Sequence, residues 1–457
     1  MIIEEEPPAH PRKIKHDEPH GIALVAHMAI ESEIGRQPVP LAPAAIDPIG
    51  IVMAAAPDIA TISGPVHEET ILPFLFDHAA AKHRAMEMFK RKVLYLGGFD
   101  PRGARFYHWL CAEQVGKLAG KEAVSISEPR RKGGNVHWTV TAVDGSFTTA
   151  HEFLVWDDLV RQHWIKDGFA LMRHGARAYR HFVGRIDWRA ARPVPGGSKF
   201  TLFYPGASML LAPLLIALLL GSLLALVLPA WLSYPLALAA GIAATPFILR
   251  RIHSLWLMRF IIFNDLFARD AAGDALTARL ESFADRIDAA LAEDWDEILF
   301  VTHSNGSILS VETVAALLAR HGGTLPDRFT YVTLGGTIQL IACRRDAHHY
   351  AERLDIVAAG NFHWLDIGSL TDGACIPLVD PCLRRPVTRP RRLVQFSPRW
   401  FRYCDPATYD RRRRNKYETH FDYLRRLDRP SPLDYVGITC GARPLGQSIA
   451  AFEAENT

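Results

Sequence analysis

A serine hydroxyl becomes a nucleophile only when a base can take its proton and N–H donors can hold the oxyanion that its attack creates. One stretch of this 457-residue chain offers a serine in such a setting. From Glu297 to Arg320 it runs EILFVTHSNGSILSVETVAALLAR. Ile298 to Val301 is a short apolar run. Thr302-His303-Ser304-Asn305-Gly306 follows, and apolar residues then recur at helical spacing. The pattern predicts a strand, a sharp turn and a helix, with Ser304 at the turn. Its side chain would project from the strand end, and the Asn305 amide would open the helix, where N–H groups lack intrahelical acceptors. An ordinary strand-to-helix loop would carry a solvated serine in the same place, so residues elsewhere must decide.

The stretch resembles the nucleophile elbow of the α/β-hydrolase superfamily, in its lipase-like His-Ser-x-Gly form. It departs from G-x-S-x-G at one position, where Thr302 replaces the first glycine. The resemblance implies an α/β fold, a mostly parallel sheet flanked by helices, and a triad in the chain order Ser, then Asp or Glu, then His. It also implies a second oxyanion N–H from the loop after an early strand. Val93 to Leu96 is a strand candidate ended by Gly97-Gly98, and Phe99-Asp100-Pro101-Arg102-Gly103 then leads into a helix carrying Tyr107 and Trp109. The amides of Gly98 and Phe99 match that location and, with Asn305, form the expected oxyanion hole. Asp100, Arg102 and Arg105 are expected to make a structural ion pair.

The same resemblance directs the search for acid and base to the residues after the elbow. Tyr331 to Leu334, ended by Gly335-Gly336, is the next strand candidate, and Trp364 to Ile367 the one after it. Asp372 follows in a loop before an apolar step to Pro377 and is the expected acid. Asp366, inside the strand, and Asp380, farther along, remain alternatives. A last strand lies in RRLVQFSPRWF, from Arg391, and His420 is the only histidine after His363. His420 is therefore the expected base. His303, beside the nucleophile, would point away from it across the turn. In the first half, Val136 to Val143 and Thr148 to Trp156 predict a hairpin around Asp144-Gly145. Asp157 and Asp158 are expected to cap the helix that follows.

Between Lys199 and Arg250 no residue is charged. Each half of this interval has about the 20 residues needed to cross a bilayer core. The interval predicts a transmembrane helical hairpin with a short connection near Trp231 to Pro235. Basic residues flank both ends (Arg185, Arg189, Arg192 and Lys199 before, Arg250, Arg251 and Arg259 after), which places both ends on the cytoplasmic side by the positive-inside rule. A re-entrant hairpin is the alternative. The predicted layout is a Pro/Ala-rich tail at 1–70, hydrolase-like segments at 71–200 and 251–457, and the hairpin at 201–250. A helix is expected near Glu69 to Arg91.

A net charge of +3 makes no case for nucleic acid. Basic clusters at Arg130 to Lys132, Arg384 to Arg392 and Arg411 to Arg414 suit a solvated face or contact with anionic headgroups. Six cysteines without a CxxC pair or zinc spacing are expected to be reduced thiols, and neither metal nor cofactor is expected. The overall expectation is a membrane-anchored serine hydrolase acting on an acyl ester, with the bilayer and a small-molecule or lipid ester as partners. An acyltransferase on the same fold and a non-catalytic interaction protein are the alternatives.

Overall fold

A computed structural model of the chain describes residues 88–118, 124–252, 254–383 and 392–456. The N-terminal tail and most of the expected helix at 69–91 lie outside these residues. Nine strands are described: β1 Phe89–Leu96, β2 Val124–Ile126, β3 Arg130–Lys132, β4 Asn135–Ala142, β5 Phe147–Phe153, β6 Glu297–His303, β7 Phe329–Leu334, β8 His363–Ile367 and β9 Arg392–Phe396. They form one sheet in the order β2-β4-β5-β1-β6-β7-β8-β9, with β3 also paired to β4. From β5 to β9 every neighbouring pair is parallel, while β2, β3 and β5 pair with β4 antiparallel. The architecture is α/β, with a mostly parallel sheet flanked by helices. All described residues belong to one compact unit.

A sheet covered on both faces needs apolar residues at successive positions, not alternate ones. Strand β6 is buried at all seven residues. Ile298 and Phe300 join one hydrophobic core and Leu299 and Val301 the other, one on each side of the sheet. The apolar run that flagged the strand in the sequence is thus a consequence of its central place.

Residues 89–91, expected at the end of a helix, instead begin β1. Their charge misled the pattern: Arg91 is fully buried, with Nε on Glu297 and its two amines on the carbonyls of Gly441 and Arg443. Asp157 and Asp158 do not cap their helix either. They lie in its first turn, paired with Arg161 and Arg279 respectively.

The uncharged interval forms two helices, Gly196–Leu224 and Ala230–Arg251. Both are long and apolar enough to cross a membrane. At 1.5 Å per residue they span roughly 43 and 33 Å, against a hydrocarbon core of about 30 Å. The first begins earlier than the expected boundary at 201. The connection also moves: it occupies 225–229, and Trp231 to Pro235 belong to the second helix. Pro229 is the N-cap of that helix, and its carbonyl accepts the first bonds, from the Leu232 and Ser233 N–H groups. Gly241 lets the two helices approach, because a Cβ there would stand 2.8 Å from the Pro213 carbonyl oxygen. Outward-facing Leu211, Leu215, Leu219, Leu236, Ile242 and Phe247 are exposed, unlike the residues of a buried core hairpin.

Candidate active site

In a parallel sheet all strands end at the same edge, so loops that follow them can meet. Strand β1 has β5 on one side and β6 on the other, which makes the carboxyl ends of β1 and β6 a switch point where such sheets open a crevice. Gly97-Gly98 follows β1 and Ser304 follows β6. Ser304 is the N-cap of the helix Asn305–Arg320 and has φ 56°, ψ −125°, outside the regions a serine normally occupies. Its N–H donates to the Leu334 carbonyl and its own carbonyl accepts from Ser307, so the turn is fixed from both sides.

The loops after β8 and β9 bring the other two expected residues to the serine. Ser304 Oγ lies 2.7 Å from His420 Nε2, and His420 Nδ1 lies 2.8 Å from Asp372 Oδ2. The acceptor on Asp372 fixes the proton of His420 on Nδ1 and leaves Nε2 to accept from the serine hydroxyl. All three are buried, Ser304 at 5% exposure and the others at 1%. Burial acts to raise the Asp372 carboxyl, but the His420 partner and the Ala374 N–H on Oδ1 outweigh it and hold it below the ordinary carboxylate range. Asp366 does not reach the histidine. Its oxygens accept from Thr333 Oγ1 and Gln395 Nε2, and burial pushes its carboxyl up to about 6 against those bonds. Asp380 accepts from the Cys382 N–H within its own turn.

Around the expected oxyanion hole, Gly98 lies directly against Ser304. A Cβ at Gly98 would be 2.9 Å from Ser304 Cβ and 3.2 Å from its Oγ. Phe99 anchors this loop by burying its ring among Trp156, Trp164 and Phe263. The Asn305 amide is the first N–H of a 16-residue helix, where the macrodipole favours negative charge. Asn305's own carboxamide is fully buried and both its polar atoms lack a partner among the described residues. Of Asp100, Arg102 and Arg105, the first two pair, and Arg105 has no ion pair among the described residues. The Arg102 guanidinium also covers the Phe421 ring beside His420 at 4.6 Å.

Two side chains that sequence reasoning did not place at the site pack against the expected base and acid, His303 among them although it was expected to point away from the serine across the turn. His303 packs its ring on His420 at 4.9 Å, and its Nε2–H donates to the His420 carbonyl at 2.9 Å. Burial and the adjacent His420 push His303 down to about 3, so it is neutral at ordinary pH. Tyr423 accepts from the Ser369 N–H with its hydroxyl, bracing the Asp372 loop from the same segment that carries His420. The doublet His-Ser was a signal for the first; nothing local marked the second.

Away from the triad, Cys111, His151 and Cys440 place a ligand-type atom each within 4.8 Å of one another, all buried. The sequence spacing gave no hint of this grouping. Cys440 Sγ is 3.5 Å from His151 Nε2, and all six cysteines are buried. No family model, curated protein or solved structure matches this chain.

Proposed function

We propose that this chain is a membrane-anchored serine hydrolase of the α/β-hydrolase kind, acting on an acyl ester. One observation carries the proposal: a serine held at positive φ on a strand-to-helix turn, hydrogen-bonded through a buried histidine to a buried carboxylate. Ion pairs and solvated serines do not need this strain, and backbone outliers of this kind concentrate at functional sites.

In the proposed mechanism, Ser304 Oγ attacks the acyl carbonyl as His420 Nε2 takes its proton. Asp372 stabilises the imidazolium through Nδ1–H. The oxyanion is held by the Asn305 amide and an amide of the Gly98-Phe99 loop. His420 then returns the proton to the leaving alcohol, and water enters by the reverse path to release the acid. The chain's own dipole at the helix start favours the negative oxygen before any substrate arrives.

The two apolar helices would anchor the catalytic part at the bilayer, with both hairpin ends on the cytoplasmic side. A fluorophosphonate probe tests the chemistry: wild type should label covalently and Ser304→Ala should not. Absence of labelling in folded wild type, or equal labelling of Ser304→Ala, would sink the proposal.

A further inference from the structure

The loop that carries Asp372 also rests on the base of the apolar hairpin. Ser198 Oγ donates to the Cys375 carbonyl at 2.6 Å, and Gly373 lies so close to Thr201 that a Cβ would overlap its hydroxyl. Lys199, between those two contacts, is the last charged residue before the uncharged interval. The acid loop therefore stands where the hairpin changes from charged to apolar, the level of lipid headgroups. Apolar side chains are bare at this level: Phe200 is 70% exposed and stacks on Tyr204, and Leu370 is 68% exposed.

An open cavity of about 460 Å³ adjoins the same loop. Leu370 and Thr371 form one wall, Tyr409, Arg413 and Arg414 another, and Lys416 closes it. No carboxylate among the described residues lines it. Arg413 shares its Nε with Asp410, while Arg414 has no ion pair among the described residues. The cavity is tied to the candidate triad at both partners of the serine. Lys416 Nζ donates to the Thr371 carbonyl, next to Asp372, and the His420 N–H donates to the Lys416 carbonyl. Thr371 Oγ1 and the Tyr409 hydroxyl are 3.0 Å apart. Three cations and two hydroxyls around one open space make a site for a doubly or singly charged oxyanion, and guanidinium groups suit phosphate geometry.

We propose that this cavity holds the phosphate of an anionic membrane lipid whose acyl ester is thereby presented to Ser304. The inference rests on the hydrolase reading for the second half of that statement and on the bilayer-inserted hairpin for the source of the ligand. A neutral ester would gain nothing from the cavity, and free phosphate would gain nothing from the exposed apolar surface beside it. Both can be separated from the lipid by experiment.

The full chain, purified in an uncharged detergent and carrying Ser304→Ala to prevent turnover, is titrated calorimetrically with three probes. These are a short-chain diacylglycerol phosphate, the same diacylglycerol without phosphate, and inorganic phosphate. The phosphate-bearing lipid should bind most tightly. Adding Arg413→Gln and Arg414→Gln should weaken it about thirtyfold, fivefold for each cation removed near a surface, and leave the uncharged lipid unaffected. Arg411→Gln, an exposed change on the same helix but outside the cavity, should leave binding as it was. Equal affinity for the uncharged lipid, no loss in the double variant, or an equal loss in Arg411→Gln each overturns the proposal. Inorganic phosphate binding as tightly as the lipid would make this a free-phosphate site and overturn it too. Probe labelling of the unmutated serine separates the two readings. Labelling without lipid binding defeats the cavity alone, and lipid binding without labelling defeats the hydrolase alone.

Discussion

Replacing Gly98 by alanine tests the candidate site at the glycine that lies against the serine itself. The new Cβ would sit 2.9 Å from Ser304 Cβ, 3.2 Å from its Oγ and 3.3 Å from the His303 carbonyl oxygen. Carbon atoms in contact prefer about 3.5–4.0 Å, so the serine or the loop must give by roughly 0.6 Å or more. Neither can move freely: the serine is fixed by its backbone bonds, and Phe99 anchors the loop in the aromatic cluster. A shift of that size in Ser304 would stretch its 2.7 Å bond to His420 to the edge of hydrogen-bond distance. Misplacement of a reacting group by about 1 Å costs on the order of a hundredfold, and overpacking costs about 1–3 kcal/mol of stability. Gly98 does not have a left-handed φ, so the effect is steric and not conformational. Gly97→Ala is the control, because its Cβ would meet only the Tyr107 and Tyr95 rings at 3.5 Å. We expect Gly98→Ala to slow both fluorophosphonate labelling and turnover of an activated ester by thirty- to a hundredfold, and Gly97→Ala to stay within about threefold. If the two variants behave alike, or Gly98→Ala keeps its rate, Gly98 does not border a working nucleophile.

The choice of acid separates two carboxylates. Asp372→Asn should lower labelling by a factor of 10³ or more, because the histidine loses its fixed tautomer, whereas Asp366→Asn should leave labelling within a few fold. The Asp366 carboxyl, raised to about 6 in the folded chain, contributes stability that is full below about pH 4 and lost as pH rises toward 6. Over that window the loss is about 3 kcal/mol, and denaturant midpoints of Asp366→Asn should lack it. A parallel pH profile in both proteins would reject the assignment. His303→Ala should cost roughly ten- to thirtyfold in rate by freeing the His420 carbonyl from a buried donor, and His303→Gln should restore part of it; no difference between the two would remove His303 from the positioning network. For the hairpin, a cysteine at Val227, 79% exposed in the connection, reports alone because the native thiols are buried. An impermeant maleimide should reach it only from the membrane side opposite to a cysteine at Ala292, and labelling of both from one side would indicate a re-entrant hairpin.

What the sequence revealed and what it hid divide along the range of the interactions involved. Strands β6, β7 and β8 were legible because a fully buried strand writes its position locally, as an apolar run stopped by a sharp turn. The hairpin was legible because fifty consecutive residues carry no charge. Strand β1 was legible only in its second half. Arg91 and Lys92 resemble solvated residues until Glu297 and Glu152, far along the chain, are placed beside them. Strands β2 and β3, three residues each, are too short to show a period. The expected triad members are close in the structure, yet what braces them could not be read. Tyr423 under the acid loop, Trp256 against the His420 ring and the hairpin base against Gly373 are contacts between segments with no pattern in common.

The missing glycine of the elbow motif has an answer in where crowding falls. Thr302 lies within β6, paired with Leu96 on one side and Thr333 on the other, before the chain turns. Its Oγ1 donates to the Val332 carbonyl at 3.3 Å, so the side chain is spent on β7 and stays out of the turn. Gly306, two residues past the serine, has no such latitude. A Cβ there would overlap the Leu96 carbonyl and stand 2.9 Å from that of Gly97, backbone atoms that cannot rotate aside. The close crossing of the helix Asn305–Arg320 over the end of β1 therefore depends on Gly306. Thr302→Gly should restore the motif and yet gain no activity, while losing about 1–2 kcal/mol from a weakened strand and a lost buried hydrogen bond. Gly306→Ala should reduce labelling at least a hundredfold and lower the melting temperature, since the helix must retreat from β1 and carry the Asn305 amide with it. A tenfold gain in Thr302→Gly would show instead that the turn is held too open by threonine, and that the serine as it stands is only partly presented.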